Sequence, residues 1–232
     1  MKLEELTLEV LAERTLSQSD SKIFVDWAVQ VLKLGYESEN LFVLAGLDFD
    51  STEEREEYFW KCAHDLNLNI EKTEEELLDQ YALIIANKAI RKEISMEYAF
   101  CEMFKVTMES GYNYRYIAFY EINEDLDRLT YDDVVLFNPG LTLENANDFI
   151  LEEFKIFVQM EDLKISKEDR DKCFCETCKN LNIPITKNKY QLKKPFKYVV
   201  WACGICGSEK LNYTNNHEVK RMIITDFNSN KR

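Results

Sequence analysis

The sequence predicts a mainly α fold, a multi-helix N-terminal domain followed by a small C-terminal β module. Three observations point there. Apolar residues recur at three- and four-residue spacing over most of the first 160 residues, behind hydroxyl residues of the kind that open helices. The 232 residues include only 6 glycines and 3 prolines, too few punctuators for a chain of many short strands. Five of the 7 cysteines fall in two short stretches, "CFCETCKN" and "WACGICGSEK", and the balance of charge changes sign close to the first of them.

The helices follow in order. Ile23, Phe24, Trp27, Ala28, Val31 and Leu32 form one apolar stripe, which Gly35 can end. Ser51, with Glu54 three residues on, is a capping-box pattern. Glu53, Glu54, Glu56 and Glu57 place negative charge in the first turns, where the helix dipole favours it. Thr73 and Glu76 repeat the device ahead of Leu77, Tyr81, Ile84 and Ile85, with Lys88 at the margin of the buried face. Ser95 opens another helix, with Ala99, Phe100, Met103, Phe104 and Met108 along one side and Gly111 at its end. Cys101 lies in that apolar helix and is expected in the core. The aromatics of "YNYRYIAFYEI" suit a strand as well as a helix, and its neighbours assign it to a helix. A further helix is expected from Thr142, burying Ala146, Phe149, Ile150, Phe154 and Phe157.

The stretch "FVDWAVQVLKLGYESENLFVLAGLD", followed by a helix rich in Glu and aromatics, resembles the start of an uncharacterised all-helical family of bacterial proteins. The resemblance extends to about residue 160. It implies a helical fold and no activity.

Chemistry is sparse in this part. His64 and Cys62 are two residues apart on a predicted helix, so they face different sides and cannot share a metal. "EINEDLD" has alternating acidic residues, but Leu126 stands where a calcium loop needs glycine and Asp132 where it needs glutamate. No glycine-rich phosphate loop, nucleophile elbow or HExxH is present. These absences predict a protein that is not an enzyme.

The C-terminal part carries a metal pattern. Cys175 and Cys178 are spaced C-x2-C, as are Cys203 and Cys206, with 24 residues between the pairs. Two intervening residues let both sulfurs of one turn reach one ion, and four soft ligands suit tetrahedral zinc. Gly204 and Gly207 let backbone N–H groups approach the thiolates. Residues 171–227 resemble a zinc ribbon, although Lys179 stands where that family usually has glycine. Cys173 lies outside the C-x2-C register and is read as a bystander. A Zn2+ ion held by Cys175, Cys178, Cys203 and Cys206 would be structural, because four thiolates leave no open position. "FKYVVWACGICG" and "VKRMIITDF" read as strands, with Val199, Val200, Trp201, Ile223 and Ile224 available for packing. His217 is expected on a hairpin turn at the surface.

Charge and motif change together. Residues 171–232 carry 12 basic and 5 acidic side chains, an excess of +7. The preceding 170 residues, with 17 against 38, carry −21 of the total of −14. The expected domains are therefore an acidic helical domain over 1–168 and a zinc-ribbon domain over 171–232. No apolar run reaches the roughly 18–20 residues of a membrane span, and "MKLEELTLEV" lacks the order of a signal peptide. A cytoplasmic setting, where thiols stay reduced, is expected.

The leading functional reading is macromolecular recognition, with a protein as partner. A nucleic acid is the alternative, contacted by Lys187, Lys189, Lys193, Lys194 and Lys197 among Tyr190, Phe196 and Tyr198. A third reading is an acidic inhibitor or immunity protein that offers Glu53, Glu54, Glu56 and Glu57 to a basic nuclease or toxin.

Overall fold

In a computed structural model, residues 2–16, 20–68 and 70–230 are described. The fold is mainly α, with ten helices and two small sheets among the described residues. The chain divides into two compact units: Met1–Ile85 with Lys105–Tyr112, and Ala86–Phe104 with Asn113–Arg232.

The first unit holds α1 (Leu3–Thr15), α2 (Lys22–Lys33), α3 (Glu39–Ala45), α4 (Thr52–Asp65) and most of α5 (Glu74–Ile90). Its core is aromatic. The ring of Phe59 lies 4.7 Å from that of Phe24 and 4.9 Å from that of Trp27. The buried indole N–H of Trp27 donates to Thr7 Oγ1 at 3.2 Å, so burial leaves no donor unmatched. The expected caps form: Ser51 Oγ accepts from Glu54 N at 3.2 Å, and Thr73 and Glu76 exchange backbone-to-side-chain bonds in both directions. Within the acidic run of α4, Arg55 turns inward. Its guanidinium donates to the Leu47 and Asp48 carbonyls and to Ser21 Oγ, tying the α3–α4 connection down.

α6 (Met96–Glu109) opens at Ser95 as expected, but Cys101 is exposed on it and not in the core. The buried stripe is Ala99, Met103 and Val106, and Cys101 falls on the other side of the helix.

The second unit holds α7 (Ile117–Leu129), α8 (Ala146–Asp162), α9 (Lys167–Arg170) and the β structure. Phe119 of α7 packs against Phe154 and Phe157 of α8, with ring centres 5.0 and 6.0 Å apart. The helix expected from Thr142 begins at Ala146, after a turn in which Thr142 and Asn145 cap each other. Asp125, from the "EINEDLD" stretch, is fully buried and accepts the backbone N–H groups of Leu136, Phe137 and Asn138. Its carboxylate organises the loop after α7.

Strands β1 (Cys173–Cys175), β2 (Leu181–Asn182) and β5 (Leu211–Asn212) form an antiparallel sheet in the order β2-β1-β5. β3 (Pro184–Tyr190) and β4 (Lys197–Cys203) form a separate antiparallel hairpin. The stretch "VKRMIITDF" corrects the expectation of a strand. It belongs to α10 (His217–Asn230), whose Val219, Ile223 and Ile224 pack with Ile156, Met160 and Ile165. Spacing of four and five residues places these three on one helix face, and α8 supplies the apolar surface that face needs. Val199 and Trp201 are also corrected: both are exposed, at 61% and 56%, because their side of the hairpin has nothing packed on it among the described residues.

Candidate metal centre

Each cysteine pair sits on the end of a strand and the turn that follows. β1 delivers Cys175 and its turn Cys178; β4 delivers Cys203 and its turn Cys206. The two turns share one geometry. The residue after each second cysteine has a left-handed backbone, Lys179 at φ 59° and Gly207 at φ 72°. Its N–H returns to the carbonyl of the first cysteine, at 2.8 Å for Lys179 and 2.9 Å for Gly207. Lys179, the departure from the zinc-ribbon pattern, thus adopts a conformation that suits glycine. Gly204 is required for another reason: a Cβ there would lie 2.8 Å from the Ile183 carbonyl oxygen.

The four sulfurs converge, all within 4.8 Å of one another. Cys175 Sγ lies 3.6 Å from Cys206 Sγ, and Cys178 Sγ lies 3.7 Å from Cys203 Sγ. Those distances are far beyond a disulfide bond of about 2.05 Å. A tetrahedral ion with bonds of about 2.3 Å would set its sulfurs about 3.8 Å apart, so the cluster fits a metal ion of that size.

The electrostatics ask for a cation. Backbone N–H groups of Cys178 and Thr177 favour the Cys175 thiolate and hold it down at about 6. Burial opposes the Cys203 thiolate, but the N–H groups of Cys206 and Ile205 outweigh it and lower its pKa. The N–H of Ser208 favours the Cys206 thiolate, yet burial and the three neighbouring sulfurs push that group up to about 11. Thiolate charges this close repel one another, and a cation between the four sulfurs would offset that repulsion.

Cys173 lies outside this group. It is buried and donates to the Asn182 carbonyl at 3.4 Å, and burial raises its pKa. Asn182 is a link that sequence reasoning missed: its Oδ1 accepts from Gly204 N at 2.8 Å, joining β2 to the second cysteine turn. Cys62 is also buried, and burial pushes its thiol up to about 12. His217 corrects the expectation of a surface turn. It begins α10, its side chain is 12% exposed, Nε2 lies 3.0 Å from Glu153 Oε2, and its ring packs on Phe149.

The five lysines separate. Lys187 donates to the Gly207 carbonyl and Lys189 pairs with Glu209, both on the side of the hairpin facing the second cysteine turn. Lys197 lies opposite Tyr190 on the outer side with Val199 and Trp201, while Lys193 and Lys194 occupy the hairpin tip. The four glutamates separate as well. Glu56 is paired with Arg14 and Glu57 with Lys61, whereas Glu53 and Glu54 are exposed.

No helix among the described residues is long and apolar enough to cross a membrane. No family model matches the chain, and no curated protein or solved structure matches it. The resemblance of the N-terminal stretch to a helical family therefore rests on its quoted residues alone.

Proposed function

We propose that the four thiolates hold one structural Zn2+ and that the zinc ribbon so formed is a non-enzymatic recognition element for a protein partner. One observation carries this reading. The outer side of the β3–β4 hairpin aligns Tyr190, Val199 and Trp201, which are 76%, 61% and 56% exposed. The base of that hairpin is fixed, because Ala202 and Cys203 are buried next to the cluster. A rigid strand presenting tryptophan, valine and tyrosine to solvent suits an interface anchor, since such residues dominate binding hot spots. Two-strand pairing also leaves backbone edges that a partner strand can extend. Four reduced thiols that work as ligands fit a cytoplasmic setting.

The test uses the full chain with a photo-crosslinking residue at position 199. A protein captured in cells is then purified and titrated against the wild-type chain and Trp201→Ala. Expected are a saturable complex and a loss of about tenfold or more for the variant, with metal content unchanged. Equal binding by the variant would sink the reading.

A nucleic acid is the second reading, and one feature favours it. Lys193, Lys194 and Lys197 make no ion pair among the described residues and stand beside Tyr190 and Phe196 at the hairpin end. Stacking and phosphate pairing would both be available there. Salt-dependent binding of a labelled single strand, with a slope that falls by about three on replacing all three lysines, would promote it over the protein reading.

A further inference from the structure

The second unit contains a cavity of about 330 Å³, among whose lining residues are Ala118 and Glu121 of α7, Glu153 and Phe157 of α8, and Tyr213 and Lys220 of the β5–α10 segment. Arg115 and Arg170 also border it. This volume is at the lower end of the range for small-molecule sites. Its charged groups are unequally matched. Lys220 is committed to Glu153, touching both carboxylate oxygens at 2.6 Å. Arg115 and Arg170 both pair with Glu161, and Arg170 also donates to the Ile165 carbonyl.

Glu121 differs. It is half-buried, and among the described residues no side-chain hydrogen bond or ion pair reaches it. Burial raises its pKa; Lys220 opposes that rise, and Glu153 and Asp125 add to it. No side-chain nitrogen or oxygen among the described residues is both buried and unpartnered, so the Glu121 oxygens stay open to the solvent that fills the cavity. Glu121 is thus a carboxylate that no protein group ties down, on a cavity whose wall includes Phe157 and Tyr213.

We infer that this cavity binds a small organic ammonium ion, with Glu121 as its counter-ion and Phe157 and Tyr213 against its hydrocarbon part. The ammonium would replace water with a charged donor at Glu121, and the two rings would cover the apolar body and favour a nearby positive charge. The inference does not depend on the metal or on the hairpin partner.

The test is saturation-transfer NMR on the full, metal-loaded chain with three probes of one shape: phenethylamine, 2-phenylethanol and phenylacetate. Phenethylamine should bind saturably at millimolar concentration and the other two at least about tenfold more weakly. Glu121→Gln should weaken the amine about tenfold or more while leaving the far-ultraviolet spectrum and metal content unchanged. Ala118→Leu, which fills the cavity, should abolish binding by the same test. The inference is overturned if phenethylamine fails to bind at about 10 mM, if phenylacetate binds better, or if the amine binds the Glu121→Gln chain as well as wild type.

Discussion

Lys220 Nζ donates to both carboxylate oxygens of Glu153, at 2.6 Å each, across 67 residues of sequence. Both side chains are buried, at 10% and 6% exposure. The pair fastens α10, which follows the cysteine cluster, to α8, which precedes it. Removing one partner strands a buried charge. Glu153→Gln should therefore cost about 3–5 kcal/mol in urea unfolding, while Glu153→Leu with Lys220→Met should cost much less. If the single and double variants unfold at the same urea concentration, the pair is not what holds α10.

The same pair sets an acid limit. Burial opposes ionisation of Glu153, but Lys220 and His217 outweigh it and lower its pKa from 4.5 to about 2. A carboxylate lowered in the folded state contributes stability that is fully present above its unfolded value. That contribution is lost as pH falls from about 4.5 towards 2. The urea midpoint of the wild type should fall over this window more steeply than that of the Glu153→Leu, Lys220→Met chain. Parallel slopes would contradict the assignment.

Much of this arrangement could be read in the residues, and the remainder had physical reasons for staying hidden. The caps at Ser51, Thr73 and Ser95 are local, so spacing alone revealed them. The convergence of Cys175, Cys178, Cys203 and Cys206 was legible for a related reason, because two C-x2-C turns leave few other uses. α10 was not legible. Its Val219, Ile223, Ile224 and Thr225 favour strands locally, and the apolar face of α8 overrides that preference. Lys220 carries no local sign of its role, because its partner Glu153 lies 67 residues away. Asp125 looked like part of a poor calcium loop because the three N–H groups it accepts come from residues 136–138. α1 buries Leu3, Leu6, Val10 and Leu11 but has no capping side chain at Lys2 to mark its start in the sequence.

Backbone conformation at the two cysteine turns makes an asymmetric prediction. Lys179 occupies a left-handed conformation that costs a non-glycine residue about 1–2 kcal/mol, and part of that gain is offset by the greater freedom of glycine when unfolded. Lys179→Gly should stabilise the module by up to about 1 kcal/mol. Gly204→Ala should do the reverse, since its Cβ would meet the Ile183 carbonyl at 2.8 Å. Metal release to a chelator should slow in the first variant and quicken in the second. The opposite order would refute this reading of the turns.

The last prediction concerns the metal. Purified chain should carry about one Zn2+, by the four-thiolate geometry. Cys203→Ser removes a ligand and should lose the ion. Cys173→Ser should keep it, because Cys173 bonds the Asn182 carbonyl and stands outside the four converging sulfurs. Chelation should then melt β1 to β5, whose short strands have little apolar cover of their own. α10 should resist, because Val219 and Ile223 pack with Ile156 and Met160 and Lys220 holds Glu153 without help from the cluster. Far-ultraviolet circular dichroism should keep most of its helical signal, while hydrogen exchange should accelerate across residues 173–212. Loss of the whole helical signal would mean that the entire chain, the first unit included, unfolds with the metal centre. Zinc lost from Cys173→Ser, or retained by Cys203→Ser, would mean that the ligand set is different.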